Sequence, residues 1–247
     1  IVGLSQLGNQ VGFIGKVSDD KLGQKYEDGL KKEKVKYLYK KKHEKMPTGS
    51  CLILITPDSE RTMCTFLGTA GRINDRDVKE EDIKSSEIIF LEGYLWDEGE
   101  PKKAFDKAIM NSKKVAMSLS DLFCVDRHKS HFLELVKNQL DITFANEQEI
   151  LSLTNAKSFK EAVSFSKEVK KNIIITRGEK GAIAINENEV VEISAQSNLK
   201  IKDLTGAGDL FAAGYLHGVI NKLNTKECLN KGTELSSKII QKIGARI

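Results

Sequence analysis

The stretch DLTGAGDLF, residues 203–211, places three small residues between two acids and then becomes apolar. Gly206, Ala207 and Gly208 would let the backbone approach an anion closely, and the small residues at 212–214 favour close packing of the helix that follows. The start of such a helix exposes unpaired N–H groups at the positive end of the helix dipole, and anions bind there. This stretch therefore predicts a helix whose first turn binds an anion.

Asp209 puts a further negative charge beside that predicted anion site. An ionised carboxylate beside a phosphate is costly unless a neutral hydroxyl lies between them and needs its proton removed. We therefore predict that the N–H groups of Gly206, Ala207 and Gly208 stabilise a transferred phosphoryl group, while Asp209 accepts the proton of the attacking hydroxyl. The alternative is an ordinary helix start, with Thr205 as its cap and Asp209 as a partner of the helix dipole. The local chemistry favours neither interpretation.

Two common phosphate-binding motifs are absent from the sequence. A dinucleotide fingerprint would need glycine at position 211, which is Phe, and no GxxxxGK[ST] stretch occurs. A dehydrogenase and a P-loop enzyme are therefore disfavoured.

Beyond Gly71, apolar runs typical of strands alternate with stretches of helical periodicity. Strands are predicted at 87–96, 115–121, 141–145, 172–178, 181–186 and 189–194. Helices are predicted at 101–114, 130–140, 146–154, 159–171, 206–220 and 225–244. This alternation indicates an α/β protein with a mostly parallel sheet covered on both faces, in which ligands bind beyond the carboxyl ends of the strands.

The region before Gly71 has a different rhythm. Residues 36–68 hold three strand-like pieces separated by MPTG and TPDSE, and they predict a small antiparallel sheet. Residues 1–8 resemble the second half of an amphipathic helix that ends at Gly8, which suggests that further residues precede Ile1.

Composition narrows the function classes. The chain has 247 residues, of which 30% are charged and 40% apolar, with a net charge of +4. Lysines distributed along the chain argue against nucleic acid as a partner, and the longest apolar runs are too short to span a membrane. The four cysteines form no CxxC pair and have no metal-ligand spacing, so we expect reduced thiols in a cytoplasmic protein.

The longer stretch DLTGAGDLFAAGYLHG, residues 203–218, resembles the C-terminal signature of the ribokinase-like (PfkB-type) sugar and nucleoside kinases. Three more stretches agree with that family in the same order: IVGLSQLGNQVGFIGKVSDDKLG at 1–23, FANEQE at 144–149 and ITRGEKGA at 175–182. The resemblance implies a ribokinase-like three-layer sandwich with a mostly parallel central sheet. It also implies a single kinase domain over residues 1–247 that lacks its N-terminal segment, with a small β-sheet lid at 36–67.

The resemblance assigns the nucleotide-binding residues. Asn146 and Glu149 match the family's Asn-x-x-Glu motif and would order Mg²⁺, through water, because a hard cation prefers oxygen ligands. The alternative is an Asn cap with a Glu three residues later, which is a common helix start. The other residues placed along ATP are Thr176, Gly178, Gly181 and Thr205. Asp203 is expected to fix the loop rather than to touch the substrate.

Within the family, the chain most resembles the adenosine kinase-like branch. The stretch PTGSCLILITPDSERTM, residues 47–63, places Arg61 where an arginine faces the transferred phosphate. SLSDLF and DITFANE place Phe123 and Phe144 where aromatic rings flank a nucleoside base, and stacking on such rings suits a purine. The alternatives are a solvated turn for Arg61 and plain core packing for the two phenylalanines.

The resemblance therefore predicts phosphoryl transfer from ATP to a primary hydroxyl of a ribonucleoside, with adenosine preferred. The expected cofactors are ATP and Mg²⁺, and a requirement for a monovalent cation is left open. A ribose- or fructose-type sugar kinase and a non-catalytic nucleotide-binding relative are the alternatives. The expected partner is this small-molecule substrate, with no nucleic acid and no membrane. A monomer is expected, and a dimer through the lid is the alternative.

Overall fold

The computed structural model describes residues 1–58, 60–96 and 100–246. The chain divides into two compact units, one of Ile1–Asp77 with Gln196–Ile247 and the other of Val78–Ala195. The first unit begins with α1 (Val2–Gln6), β1 (Gly12–Phe13), α2 (Lys21–Lys32), β2 (Lys36–Tyr37), β3 (Thr48–Ile55) and β4 (Arg61–Gly68). The second unit contains α3 (Glu80–Ser85), β5 (Ile89–Glu92), α4 (Glu100–Asn111), β6 (Val115–Ser118), α5 (Leu122–Asn138), β7 (Ile142–Asn146), α6 (Glu147–Thr154), α7 (Phe159–Val169), β8 (Asn172–Thr176), β9 (Ala182–Ile185) and β10 (Val190–Ile193). The chain then returns to the first unit as α8 (Ala207–Ile220) and α9 (Thr225–Ile239).

The second unit is built on a six-stranded sheet in the order β10-β9-β8-β7-β6-β5. Strands β5 to β8 are parallel to their neighbours, and β9 and β10 add two antiparallel pairings at one edge. The central strands are continuous apolar runs, as expected where both faces of a sheet are covered. Ile173, Ile174 and Ile175 of β8, for example, have no exposed surface. The predicted mostly parallel sheet is confirmed.

Helix α5 begins eight residues earlier than predicted. Asp121 caps it by accepting a hydrogen bond from the N–H of Phe123, so the helix starts at Leu122 rather than at Ser130. The apolar run after Asp121 conceals this start, because four consecutive residues without charge show no helical period. The backbone of His128 departs from helical geometry, with φ −118°. Phe123 therefore lies in the first turn of a helix.

The small antiparallel sheet predicted for residues 36–68 is only partly present. β3 and β4 form an antiparallel hairpin in which Thr48 pairs with Gly68 and Ile55 with Arg61. The first predicted strand does not join them, because β2 instead pairs in parallel with β1. The prediction of three antiparallel strands is therefore wrong, and the hairpin formed by β3 and β4, hereafter the hairpin, has two.

Helices α8 and α9 pack closely because glycine lies at their contact. A Cβ added to Gly214 would lie 2.3 Å from the carbonyl oxygen of Lys231, and one added to Gly232 would lie 2.8 Å from that of Phe211. The sequence predicted this close approach from the small residues after the glycine turn. No helix among the described residues is long and apolar enough to cross a membrane.

Candidate active site

The loop before α8 has the open backbone that an anion site requires. Gly206 precedes the helix in a left-handed conformation, with φ 81° and ψ 4°, and no side chain caps the helix. The N–H of Ala207 donates to the carbonyl of Leu204 at 3.2 Å. Among the residues that the structure describes, the N–H groups of Gly206, Gly208 and Asp209 have no partner. Of the three donors predicted for the anion hole, those of Gly206 and Gly208 are open, whereas that of Ala207 is engaged.

Space at the start of α8 matches this backbone. A Cβ added to Gly208 would meet no atom within 4 Å, whereas one added to Gly206 would meet Ala245 at 3.2 Å. The interpretation of Thr205 as the side-chain cap is wrong, since Gly206 occupies the cap position. The Thr205 hydroxyl is instead buried and has no hydrogen-bond partner within the described chain.

Asp203 holds the loop in place. Its Oδ1 accepts a hydrogen bond from the N–H of Thr205, and its Oδ2 accepts one from the N–H of Gly244, both at 2.8 Å. Burial raises the pKa of this carboxyl, but hydrogen bonds from Thr205 and Gly244 and the positive charge of Arg61 outweigh it, so the pKa lies below its ordinary value. The buried, ionised carboxylate of Asp203 therefore fixes the backbone of the loop before α8.

Asp209 lies in the first turn of α8 with its side chain exposed. No hydrogen bond or ion pair of its carboxylate is present in the part of the chain that the structure describes. The carboxylate is thus accessible to an incoming hydroxyl.

Arg61 is the first residue of β4 and is exposed. Its guanidinium contributes to the low pKa of Asp203, so its charge acts on the loop before α8. Because Arg61 is exposed, the solvated-turn alternative also fits its surroundings, and its role in phosphoryl transfer stays a prediction.

In the second unit, Asn146 and Glu149 form a complete capping box at the start of α6. The Asn146 side chain accepts from the N–H of Glu149 at 2.8 Å, and Glu149 accepts from the N–H of Asn146 at 3.0 Å. Burial raises the pKa of Glu149 to about 7, partly offset by the hydrogen bond from Asn146, and the charge of Asp121 raises it further. The capping alternative is therefore present, and a metal role would be additional to it.

The predicted ATP-bordering residues of the second unit lie at the end of β8 and in the turn that follows it. The Thr176 hydroxyl lies 3.5 Å from the carbonyl oxygen of Ala145. Gly178 and Gly181 have φ 56° and 95°, and a Cβ on Gly181 would lie 2.0 Å from the carbonyl oxygen of Ile193. The turn therefore requires glycine at 181, whereas at 178 a Cβ would meet no atom within 4 Å.

The sequence prediction missed an ionic link between the segment that follows β7 and the turn that follows β8. Arg177 Nε lies 3.0 Å from Glu147 Oε2, its Nη1 lies 2.6 Å from Glu192 Oε1, and its guanidinium stacks 3.9 Å from the ring of Phe159. Since β7 and β8 are parallel neighbours, charged residues just after each strand meet at one sheet edge. The opposite charges that follow the two strands were the available signal.

The two aromatic candidates differ in exposure. Phe123 is 50% exposed, and its ring centroid lies 6.2 Å from that of Tyr94 and 5.5 Å from the guanidinium of Arg127. Phe144 is 5% exposed in β7 and packs edge-on against Phe90 at 6.0 Å. The surroundings of Phe144 correspond to the core-packing alternative, whereas Phe123 offers an accessible face.

Comparisons with known proteins identify the family of this chain. The family model "pfkB family carbohydrate kinase" matches residues 1–247. The structure is similar to adenosine kinase from Sinorhizobium meliloti, with a TM-score of 0.95 and 34% identity, over 100% of this chain and 77% of that one. It is also similar to a probable sugar kinase from Rhizobium etli, with a TM-score of 0.93 and 34% identity, over 99% and 76% of the two chains.

More distant relatives extend the likeness. An uncharacterized sugar kinase of Archaeoglobus fulgidus is 25% identical over 99% of this chain and 97% of its own length. A putative ribokinase II from E. coli, solved in complex with ATP and Mg²⁺, has a TM-score of 0.90 at 18% identity, over 99% and 81% of the chains. The predicted ribokinase-like α/β fold is confirmed. The chain belongs to the pfkB family of carbohydrate kinases and is an ATP-dependent phosphotransferase.

Proposed function

We propose that this kinase transfers the γ-phosphoryl group of ATP to a primary hydroxyl of a ribonucleoside, with adenosine preferred. The observation that carries the transfer step is the start of α8, where N–H groups and a carboxylate that lack partners among the described residues lie within one helical turn. Such an arrangement suits a reaction that depends on positioning and charge stabilisation rather than on covalent catalysis.

In the proposed step, the Asp209 carboxylate takes the proton of the acceptor hydroxyl as its oxygen bonds to the γ-phosphorus. The bond from that phosphorus to the bridging oxygen breaks, and ADP leaves with the bonding electrons. The N–H groups of Gly206 and Gly208 stabilise the charge on the phosphoryl oxygens, and Arg61 adds positive charge from the hairpin. Ala207 stays in the proposal as the residue that shapes the turn, because its own N–H is engaged with Leu204.

Nucleotide binding is proposed for Thr176, Gly178, Gly181 and Thr205. Asn146 and Glu149 offer the oxygen atoms that Mg²⁺ prefers. These oxygens already accept hydrogen bonds from each other's residue, so we propose that they would hold Mg²⁺ through water rather than directly. When bound, Mg²⁺ would neutralise charge on the ATP phosphates. A monovalent cation as an additional cofactor stays a prediction.

Phe123 supports a nucleoside acceptor. A ring that is half exposed beside Tyr94 can cover one face of a purine, and aromatic stacking adds to the gain from burial. The adenosine kinase of S. meliloti, at 34% identity, points the same way.

A sugar acceptor is the second candidate, and a specific observation favours it. Phe144, the other predicted base-flanking ring, is buried against Phe90, so an aromatic sandwich around a base is incomplete. The similarity to the sugar kinases of R. etli and A. fulgidus is of the same order as that to adenosine kinase.

A competition assay separates these candidates. Adenosine, guanosine, ribose and fructose are supplied together with ATP, and the phosphorylated products are quantified by mass spectrometry. We expect AMP to dominate, and Phe123→Ala to lower kcat/KM for adenosine about tenfold while leaving that for ribose within about twofold. Equal losses on both acceptors would remove the stacking role. Binding of ATP without acceptor-dependent ADP release would indicate a non-catalytic relative.

The organisation of the protein completes the proposal. We infer a monomeric cytoplasmic enzyme whose residues 1–247 act as one kinase domain, with the hairpin as a lid over the acceptor. A lid that excludes water favours transfer to the acceptor over hydrolysis. Size-exclusion chromatography with light scattering tests the monomer, and a dimer mass would favour association through the hairpin.

A further inference from the structure

Among its described residues, the hairpin is buried at one end. The described side chains from Ser50 to Ile55 and from Arg61 to Leu67 are exposed, whereas Thr48 and Gly68, which pair at its open end, are buried. We call Thr48 and Gly68 the hairpin root. Because the rest of the hairpin makes few contacts, its direction is set by whatever holds the root.

One carboxylate holds that root. Asp20 Oδ2 accepts a hydrogen bond from the N–H of Thr48 at 2.8 Å, and Asp20 Oδ1 accepts one from the Thr48 hydroxyl at 2.8 Å. Asp20 Oδ1 also accepts from the N–H of Gly23 at 2.8 Å and so caps α2. The hydrogen bonds from Thr48 and Gly23 hold the pKa of Asp20 below its ordinary value. A single ionised side chain thus joins a helix start to the hairpin root.

The segment 16–20, which contains Asp20, also contacts the chain before and after the hairpin. The buried Lys16 Nζ lies 3.5 Å from Glu44 Oε1, before the hairpin, and 3.2 Å from Asp77 Oδ2, after it. Between them, the N–H of Ser18 donates to the Thr48 hydroxyl at 3.0 Å. Alternate residues of the segment 16–20 therefore fix the root, and the sequence prediction assigned them no role.

Because Arg61 lies far from the hairpin root, a small rotation at the root moves its side chain by a large distance. Arg61 lies seven residues from Gly68 along β4, which at the rise of a strand is roughly 23 Å. A rotation of a few degrees at the root would therefore displace the guanidinium of Arg61 by an ångström or more. Its electrostatic effect on Asp203 depends on that position.

We propose that Asp20 is a positioning residue for phosphoryl transfer, which fixes the hairpin root so that Arg61 stays in reach of the loop before α8. The inference rests on the proposed role of Arg61. It places no contact between Asp20 and a substrate. Its consequence is that the effects of changing Asp20 and Arg61 are coupled, although Asp20 binds the hairpin root and Arg61 lies at the other end of the hairpin.

The test is a double-mutant cycle of Asp20→Asn and Arg61→Ala, measured as kcat and KM for ATP and acceptor. Asparagine keeps an oxygen for the N–H of Gly23 but presents an NH₂ group in place of one carboxylate oxygen. We expect Asp20→Asn to lower kcat about tenfold, the effect of losing one hydrogen bond to a charged group, and to have no further effect when Arg61 is already alanine. Independent, multiplicative losses in the double variant would overturn the proposal.

Ser158→Ala is the matched control. Ser158 caps α7 through its hydroxyl in the other unit, so its removal costs a helix cap without touching the hairpin. We expect a lower Tm with unchanged kcat per folded molecule. If Asp20→Asn behaves in the same way, Asp20 is a helix cap only and the proposal fails.

A second measurement needs no acceptor. Amide hydrogen exchange of residues 48–55 and 61–68 is compared between the parent and Asp20→Asn without ligand. We expect exchange at the hairpin root to accelerate at least tenfold while exchange in α9 stays unchanged. Unchanged exchange at the root would overturn the proposal. A parent enzyme that phosphorylates no acceptor would instead contradict the proposed function, and the exchange result would still decide whether Asp20 fixes the root.

Discussion

Helices α6 and α8 each carry an acid at the third position of their first turn, yet the two acids have opposite surroundings. Glu149 of α6 is buried and hydrogen-bonded back to its cap, Asn146. Asp209 of α8 is exposed without a described partner, and its cap, Gly206, has no side chain. In α6 the side chains satisfy the helix start internally. In α8 the N–H groups and the carboxylate are left for a ligand.

The difference shows what a glycine cap contributes. A capping side chain stabilises a helix but occupies the N–H groups that would otherwise bind an anion. The left-handed backbone of Gly206 begins the helix without using those groups. The N-cap position therefore carries a stabilising side chain in α6, whereas in α8 it leaves the first N–H groups without a side-chain partner among the described residues.

The largest expected effect comes from removing the charge of Asp209, the exposed acid of α8. Asp209→Asn should lower kcat by about a thousandfold, since loss of a general base typically costs ~10²–10⁴. Its Tm should stay close to that of the parent, because the carboxylate has no described partner to lose. Steady-state kinetics and thermal denaturation of the same preparation check both statements. Near-normal turnover would contradict the assignment of Asp209 as the base and would reduce α8 to an ordinary helix start.

Much of the α8 start could be predicted from sequence, because its determinants are local. The glycine turn and the small residues after it lie within about ten positions, and the predicted helix begins one residue from the observed one. The cap was harder to predict, because Thr205 is a common capping residue and only the backbone conformation shows that Gly206 occupies that place.

Other features depended on distant parts of the chain. Strand β2 pairs with β1, 24 positions earlier, and nothing within the stretch 36–68 signals that partner. Phe123 and Phe144 look alike in sequence, but one lies at an exposed helix start and the other inside the sheet. Exposure of that kind is decided by tertiary packing, and a single sequence carries little information about it.

A pair of glycine variants sharpens the comparison by separating stability from activity at α8. Gly206→Ala forces an L residue into a left-handed conformation and against Ala245, so we expect a loss of about 1–2 kcal/mol in the free energy of unfolding. Gly208→Ala has open space and helical geometry, so we expect a gain of up to ~1 kcal/mol. Its methyl group would nevertheless crowd a bound phosphate and lower kcat/KM. Chemical denaturation and kinetics of both variants test this, and a Gly208→Ala enzyme with unchanged activity would contradict the proposed anion site.

The smallest expected effect is a pH dependence of the protein's stability that comes from Glu149, the buried acid of α6. The pKa of Glu149 is raised to about 7 in the folded protein, mainly by burial, whereas an unfolded Glu has an ordinary value of 4.5. Between these values the folded state holds a proton that the unfolded state has released, so stability is greatest below about pH 4.5 and declines as the pH rises through 7.

Glu149→Gln removes this contribution because the amide does not titrate. The difference in Tm between parent and Glu149→Gln should therefore change between pH 5 and 8. A difference that is constant over this range would show that the Glu149 carboxylate is already ionised in the folded protein, and burial would then not have raised its pKa.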